Sequence, residues 1–99
     1  MPASLLTEQE INERLASLPG WELLDGKLYR SFKFTDFVTA FEFMSQLAPE
    51  AERMNHHPEW TNVYNRVDVS LVTHDAGGIT ELDFALAGVM DRLAAAHAA

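Results

Sequence analysis

The sequence contains no cysteine in its 99 residues. This absence excludes disulfide bonds, thiolate metal sites and a cysteine nucleophile, and it fits a cytoplasmic protein. Basic residues are scarce as well, because seven Lys and Arg stand against fifteen Asp and Glu, for a formal net charge of -8. Phosphate contacts need a basic face, so neither a nucleic acid nor an anionic membrane surface is expected as a partner.

Long apolar runs are missing too. No stretch approaches the roughly 20 residues that a membrane-spanning helix needs, and the N-terminus lacks the basic and apolar segments of a signal peptide. The sequence has neither a glycine-rich phosphate loop nor a serine nucleophile elbow. It does have 47% hydrophobic residues, which is typical of a folded globular protein. We expect one domain over residues 1–99, with residues 1–6 as a loose leader.

The first third of the chain predicts a helix followed by a β-hairpin. Thr7 to Glu10 form a capping box, which opens a helix over residues 8–17. Residues 21–24 and 28–34 then predict two strands. The Asp25-Gly26 pair between them is a strong signal for a hairpin turn.

A long amphipathic helix is predicted next. Thr35 or Asp36 can cap its N-terminus, and an apolar stripe recurs at steps of three and four residues. Pro49 removes the backbone hydrogen bond to Ser45, so we expect a kink there, or a break followed by a further turn. The stripe consists of Phe37, Phe41, Met44, Leu47 or Ala48, Ala51 and Met54.

The rest of the chain predicts a second hairpin and a third helix. Strands are expected over residues 60–64 and 67–74, joined by a tight turn at Asn65-Arg66. Thr80 to Asp83 form a second capping box, which begins the final helix. The apolar stripe of that helix consists of Leu82, Leu86, Val89, Met90 and Leu93.

The predicted order of elements is therefore α-β-β-α-β-β-α. Two hairpins separated by a helix indicate an α+β fold, in which a four-stranded antiparallel sheet has its helices packed on one face. In this arrangement the third strand begins just after His57 and the fourth ends at His74. Because these are neighbouring ends of an antiparallel pair, the topology brings His56, His57 and His74 to one edge of the hairpin.

Three of the four histidines lie in those two short polar segments. Imidazole titrates near neutrality, so a site with several imidazoles can offer a general acid and a general base at the same pH. Glu52 precedes His56 by four residues, and on a helix it could orient that imidazole. Two structural interpretations stay open: a solvated loop with one histidine at the C-terminus of the second helix, and an ordinary Glu52–His56 surface pair.

Other candidate residues also have two interpretations. Trp60 is either a core residue or a wall against which a flat heterocycle stacks. Asp83 is the last residue of a capping box, which is sufficient reason for it to be acidic. Three histidines with Glu52 or Asp75 could supply a zinc-like ligand set. Adjacent histidines make a poor chelating pair, however, and the His-Glu-x-x-His motif is absent, so no metal is expected.

The spacing of these residues resembles the pterin-4a-carbinolamine dehydratase family. The likeness is close from about Phe34 to Ala87, and Trp21 and the aromatic-rich segment 32–43 share it. It is specific, because it joins two separated histidine segments at the right interval. The known fold of the family is also the predicted one. The matching residues are Glu52, His56-His57-Pro58-Glu59-Trp60, Asn62-Val63-Tyr64-Asn65, Thr73-His74, and Asp83 within Glu81-Leu82-Asp83.

The resemblance implies an activity. The family eliminates water from 4a-hydroxytetrahydropterin, the form in which aromatic amino acid hydroxylases leave their cofactor, to give quinonoid dihydropterin for recycling. An acid must protonate the departing hydroxyl and a base must take the proton from N5, with no metal or organic cofactor. By correspondence the catalytic residues are His56, His57 and His74, supported by Glu52 and Asp83. Pterin contacts are expected from His56, His57, Pro58, Trp60, Thr73, His74 and Asp75.

Within this set we take His56 and His74 as the acid–base pair and His57 as a ligand for the polar edge of the pterin. Asp75 stands where a longer glutamate is common in the family, so no step is assigned to it. Some members stabilise dimers of an animal transcription factor, and a non-catalytic interaction module of the same fold is therefore the alternative function. We expect a homodimer, or a tetramer as in some relatives, in which a second copy covers the region of Phe37, Phe41, Phe43 and Met44.

Overall fold

The computed structural model describes residues 3–97. It confirms the predicted order of elements and the α+β fold, and every strand pairing is antiparallel. The elements are α1 (Glu8–Leu15), β1 (Glu22–Leu24), β2 (Lys27–Lys33), α2 (Phe37–Met54), β3 (Glu59–Val63), β4 (Arg66–Leu71), a 3-10 turn (His74–Ala76) and α3 (Glu81–Ala96).

The four strands lie in the order β1-β2-β4-β3, so the two hairpins meet through β2 and β4. Leu28 lies opposite Leu71 in this central pair, and Phe32 lies opposite Val67. Since successive side chains of a strand point to opposite faces, these residues share the face that the helices cover. The core between sheet and helices includes Leu28, Phe32, Val67, Val69 and Leu71 from the strands and Phe43, Leu47, Leu86 and Met90 from the helices.

The local signals for helix starts and the first turn are confirmed. Both capping boxes are present, at Thr7–Glu10 and at Thr80–Asp83. Asp36 caps α2, because its carboxylate accepts a hydrogen bond from the backbone N–H of Thr39 at 2.8 Å. The Asp25-Gly26 turn has φ values of 53° and 76°, the pair of positive angles that a type I′ hairpin requires.

The predicted apolar face of α2 is partly wrong. Phe37 and Phe41 are 47% and 52% exposed, and the buried stripe runs through Ala40, Phe43, Leu47 and Ala51. Two overlapping stripes satisfy the same helical spacing, and tertiary contacts choose between them. The ring of Phe43 packs 5.0 Å from those of Phe32 and Phe34, which turns this stripe towards the sheet. A second copy had been expected to cover Phe43, but Phe43 is buried in the core and is not available to it.

The predicted interruption at Pro49 does not divide the helix. The chain is helical from Phe37 to Met54 with Pro49 inside. No helix within residues 3–97 is long and apolar enough to cross a membrane.

The turn between β3 and β4 lies one residue earlier than predicted. Val63 pairs with Arg66, so the two turn residues are Tyr64 and Asn65. Tyr64 adopts a φ of 52°, which is unusual for a bulky side chain. The side-chain amide of Asn62 donates to the carbonyls of Tyr64 and Arg66, at 3.1 and 2.9 Å, and so stabilises this turn.

The N-terminal segment is docked against the domain as far as it is described. Residues 3–7 form no helix or strand, but the N–H of Leu6 donates to the carbonyl of Ile79 at 3.0 Å. Leu6 also packs against the core. The expected loose leader is therefore wrong for Leu6, and residues 1–2 of that leader lie outside the described residues.

Candidate active site

The first histidine segment is positioned by the C-terminus of α2. The helix ends at Met54, and Asn55 adopts the left-handed conformation, with φ 50° and ψ 42°. This is a common way to end a helix, and Asn tolerates it well. The N–H of His56 then bonds to the carbonyl of Ala51 at 3.0 Å. The reversal at Asn55 turns His56 inward, where it is 6% exposed, while His57 stays exposed.

The second histidine segment lies at the end of β4. Because Glu59 pairs with Ser70, the beginning of β3 lies beside the end of β4. The strand ends at Leu71, earlier than predicted, and a bridge between Thr73 and Gly78 closes the loop that follows. His74 therefore begins a 3-10 turn, and does not end a strand.

The two segments meet around a cavity of about 550 Å³, as the topology predicted. His56 and His57 line one part of its wall, and Thr73, His74 and Asp75 line another. Ala3 and Leu82 add apolar surface. A cavity of this size is in the range of small-molecule sites, and its lining combines apolar and titratable groups.

Each of the three histidines has a carboxylate of its own. The Nε2 atoms of His56, His57 and His74 lie 2.6, 2.8 and 2.8 Å from oxygens of Asp83, Glu52 and Glu59, respectively. An ionised carboxylate can only accept a hydrogen bond, so each Nε2 carries a hydrogen. Nδ1 is then the ring nitrogen that can gain or lose a proton without breaking this contact.

His56 and Asp83 form the buried part of the site. Asp83 is fully buried, and its second oxygen accepts from the hydroxyl of Thr73 and from the N–H of Thr80, both at 2.9 Å. Since Thr73 donates to Asp83, the hydroxyl of Thr80 must donate to Thr73 at 2.7 Å, and it accepts in turn from the N–H of Leu82. Asp83, the acidic residue of the α3 capping box, thus also holds a histidine, and this network fixes the ring of His56 in place.

His57 and Glu52 form an exposed pair, with 59% and 78% of their side chains accessible. The sequence had predicted Glu52 beside His56, four residues on. That pairing is wrong, because the left-handed residue at position 55 ends the helix and sends His56 towards Asp83. Glu52 does contact a histidine, but the histidine is the next one along the chain, His57.

His74 and Glu59 form the third pair, and sequence reasoning missed the part that Glu59 takes. Glu59 is the first residue of β3, and its other carboxylate oxygen accepts from Nζ of Lys27 at 2.7 Å. The hydrogen bond from Lys27, and to a smaller extent the one from His74, hold the pKa of the Glu59 carboxyl below its ordinary value. The position of Glu59 at the beginning of β3, beside the end of β4, could have indicated this role.

Two of the expected pterin contacts do not line the cavity. Trp60 is half-buried and packs against the hydrophobic core, as its structural interpretation predicted. Pro58 is half-buried and contributes no surface to the cavity wall. Among residues 3–97, no group of three or more His, Asp or Glu side chains is arranged to hold a metal ion.

Fold and site together define an α+β domain that carries paired imidazoles and carboxylates around a small-molecule cavity at one end of its sheet. Such groups can donate and accept protons, as general acid–base catalysis requires. Comparison with known families identifies the class further, because the sequence model of "Pterin 4 alpha carbinolamine dehydratase" matches residues 4–93. The chain belongs to this family.

Similar proteins agree with this assignment. A relative from Brucella ovis and another from Brucella canis are each 54% identical over 96 residues, covering 95% of this chain and 99% of the relative. Both carry the name "Putative pterin-4-alpha-carbinolamine dehydratase". A crystal structure from Brucella melitensis, described as a transcriptional coactivator/pterin dehydratase, superposes with a TM-score of 0.87 at 56% identity, over 90% of this chain and 97% of that one.

A more distant structure shares the fold. It is a pterin dehydratase-like protein described as a RuBisCO assembly factor in the alpha-carboxysome, with a TM-score of 0.61 and 24% identity. The match covers 75% of this chain and 86% of that one. The fold therefore also occurs in a protein described by an assembly role.

Proposed function

We propose that this protein is an active dehydratase, which eliminates water from 4a-hydroxytetrahydropterin to give quinonoid dihydropterin in the recycling of tetrahydropterin cofactor. The observation that supports the proposal is the set of three histidines around one cavity, each bound through Nε2 to a separate carboxylate. A protein that only used the fold as a scaffold would have no need for three oriented imidazoles.

The reaction moves two protons. The N5–H bond breaks and its electron pair forms a double bond from N5 to carbon 4a, while the bond from carbon 4a to the hydroxyl oxygen breaks and the hydroxyl leaves as water. A base takes the N5 proton and an acid supplies a proton to the hydroxyl. Histidines serve both tasks near neutral pH, so the same set can restore its protons after each turnover.

We assign His56 and His74 as the acid–base pair. They approach the cavity from the two different segments, and both have the Nε2 hydrogen committed to a carboxylate. Proton exchange with the substrate would then use Nδ1. His57, which is exposed and held by Glu52, is proposed to bind the polar edge of the pterin. Thr73 and Asp75 are proposed as further contacts, since both line the cavity.

The remaining features of the proposal concern the whole protein. We propose that the protein is a cytoplasmic homodimer or homotetramer that needs no metal or organic cofactor. The exposed apolar side chains of Phe37, Val38 and Phe41 at the start of α2 support association, because large apolar side chains seldom cluster on a monomer surface.

The experiment follows the decay of freshly generated 4a-hydroxytetrahydropterin by ultraviolet absorbance, with chelator in every sample. Buffer, wild type, His74→Ala, and the double variant His56→Ala/His74→Ala are compared, with circular dichroism to verify folding. His97→Ala is the matched control, since His97 contacts Gln46 and is not part of the cavity wall. We expect strong acceleration by the wild type and by the control, and a loss of roughly 10²–10⁴-fold in the variants.

Single variants separate chemistry from binding. His57→Ala should raise KM with little change in kcat, whereas His74→Ala should lower kcat. A folded wild-type protein that does not accelerate the decay would overturn the enzyme proposal and favour the alternative, a non-catalytic interaction module of the same fold. Activity that appeared only without chelator would show that a metal takes part.

A further inference from the structure

The ring of His74 has little packing to hold it. Its side chain is 73% exposed, whereas that of His56 is 7% exposed and sits within a buried network. An exposed imidazole can rotate about both of its side-chain torsions, so its orientation depends on the hydrogen bond that it makes. A proton carrier must be held in the productive geometry, because small misplacements cost large factors in rate.

We propose that Glu59 is a positioning residue for His74, and that Lys27 anchors Glu59 in turn. This inference rests on the proposed dehydratase function, which gives His74 its task. The carboxylate of Glu59 bridges the two side chains, with Nε2 of His74 at 2.8 Å from one oxygen and Nζ of Lys27 at 2.7 Å from the other. Both carboxylate oxygens are therefore in use, which defines the plane of the group.

The sheet explains why these three side chains meet. Glu59 pairs with Ser70, and Ser70 pairs with Tyr29, so the three strands present one row of side chains on the face away from the core. Lys27 has the same parity as Tyr29 and lies on the same face, two residues earlier, at the beginning of β2. Because β4 lies between β2 and β3, the Lys27–Glu59 pair spans a strand to reach its partner.

The electrostatics favour the same arrangement. The hydrogen bond from Lys27, and to a smaller extent the one from His74, keep the pKa of the Glu59 carboxyl below its ordinary value. Glu59 therefore stays ionised throughout the neutral range and can only accept from the ring. Exposed ion pairs of this kind contribute little to stability. We therefore attribute to the contact a role in orienting the ring of His74.

The test measures the motion of the His74 ring and the rate of dehydration in the same set of proteins. The variants are Glu59→Leu, Glu59→Gln, which keeps an oxygen acceptor without the charge, and Lys27→Met. Glu22→Gln on β1 and Lys33→Met at the other end of β2 are matched controls, because both are exposed and neither lines the cavity. The order parameter of the ring Cδ2–H bond of His74 is obtained from carbon-13 relaxation.

We expect Glu59→Leu to lower the order parameter of the His74 ring and to reduce kcat roughly 10-fold, as the loss of an outer hydrogen-bond partner often does. Glu59→Gln should recover most of both losses, and Lys27→Met should show a smaller fall of the same kind. In a His74→Ala background, Glu59→Leu should cause no further fall in rate, because its effect acts through that ring.

Two results would overturn the inference. One is an unchanged order parameter for the His74 ring in Glu59→Leu, and the other is an equal loss of rate with and without His74. The ring measurement needs no turnover, so it decides the positioning role even if the wild type proves inactive. In that case the proposed function fails separately.

Discussion

The Nε2 atom of His56 lies 2.6 Å from Oδ1 of Asp83, and both side chains are buried although 27 residues separate them in the sequence. Asp83 also completes the capping box of α3. One carboxylate thus ties the end of α2 to the beginning of α3 and fixes a cavity-lining ring at the same time. Stability and function should therefore change together at this position.

Removing the carboxylate of Asp83 should lower both the stability of the protein and its turnover. Asp83→Ala leaves the N–H of Thr80, the hydroxyl of Thr73 and the ring of His56 without their acceptor. Each unsatisfied buried group costs about 1–3 kcal/mol, so we expect a loss on the order of 3 kcal/mol in the free energy of unfolding, measured with urea. Asp83→Asn should lose less stability but still reduce turnover. Glu81→Gln, an exposed neighbour on the same helix, should stay within about 0.5 kcal/mol of wild type.

Removing the carboxylate of Glu52 should affect activity without affecting stability. The Glu52–His57 pair is exposed, so Glu52→Ala should change the free energy of unfolding by less than about 0.5 kcal/mol. KM for the pterin should rise, because His57 loses the group that orients it. Glu50→Ala, which breaks a pair with Arg53 on the same helix, is the matched control and should leave KM unchanged. Equal effects of the two substitutions would argue against a role for Glu52.

The Lys27–Glu59 contact predicts a pH dependence with a definite sign. Lys27 is the largest cause that lowers the pKa of Glu59 from 4.5, so folding favours the ionised carboxyl. The resulting stability is fully present above about pH 4.5 and is lost as the pH falls through the lowered pKa. We expect the small stability difference between wild type and Glu59→Gln to be largest near pH 6 and to shrink below pH 4.5 in urea titrations.

A Lys27→Met background provides the control for that titration. There, the same Glu59→Gln difference should lose most of its pH dependence. The carboxyls of Glu10 and Asp36 also have lowered pKa values, from hydrogen bonds with Thr7 and Thr39. They are present in all the proteins compared and cancel in the difference. A gap that widened in acid would contradict the assigned sign.

Replacing Pro49 should stabilise the protein. Pro49 lies inside α2, is exposed and has no N–H for the helix. In a helix interior Pro is about 3 kcal/mol less favourable than Ala, and its restriction of the unfolded chain recovers roughly 1 kcal/mol of this. We expect Pro49→Ala to add about 1–2 kcal/mol to the free energy of unfolding, with kcat unchanged. A loss of stability would show that α2 needs the proline to follow the sheet.

Local signals account for what could be predicted from the sequence. The capping boxes at Thr7 and Thr80 and the Asp25-Gly26 turn were correct, since each depends on a few consecutive residues. The alternation around Val67 and Val69 was correct because a strand with one buried face must alternate. From these elements, antiparallel topology alone was enough to bring both histidine segments to one edge of the second hairpin.

Errors arose where two local patterns were equally consistent. The apolar stripes through Phe37 and through Ala40 both fit a helix, and only the rings of Phe32 and Phe34 selected the second. Likewise, an i,i+4 spacing supports a Glu52–His56 pair only while the helix continues. A left-handed residue at position 55 ends it there.

The sequence by itself determined the order of the elements, the α+β class and the meeting of three histidines at one end of a hairpin, because spacing, caps and turns are local properties. Only the tertiary structure decided which carboxylate each histidine binds. Asp83 reaches His56 across 27 residues, and Glu59 reaches His74 and Lys27 across strands. These contacts depend on helix rotation and strand register, which the packing of the whole domain sets.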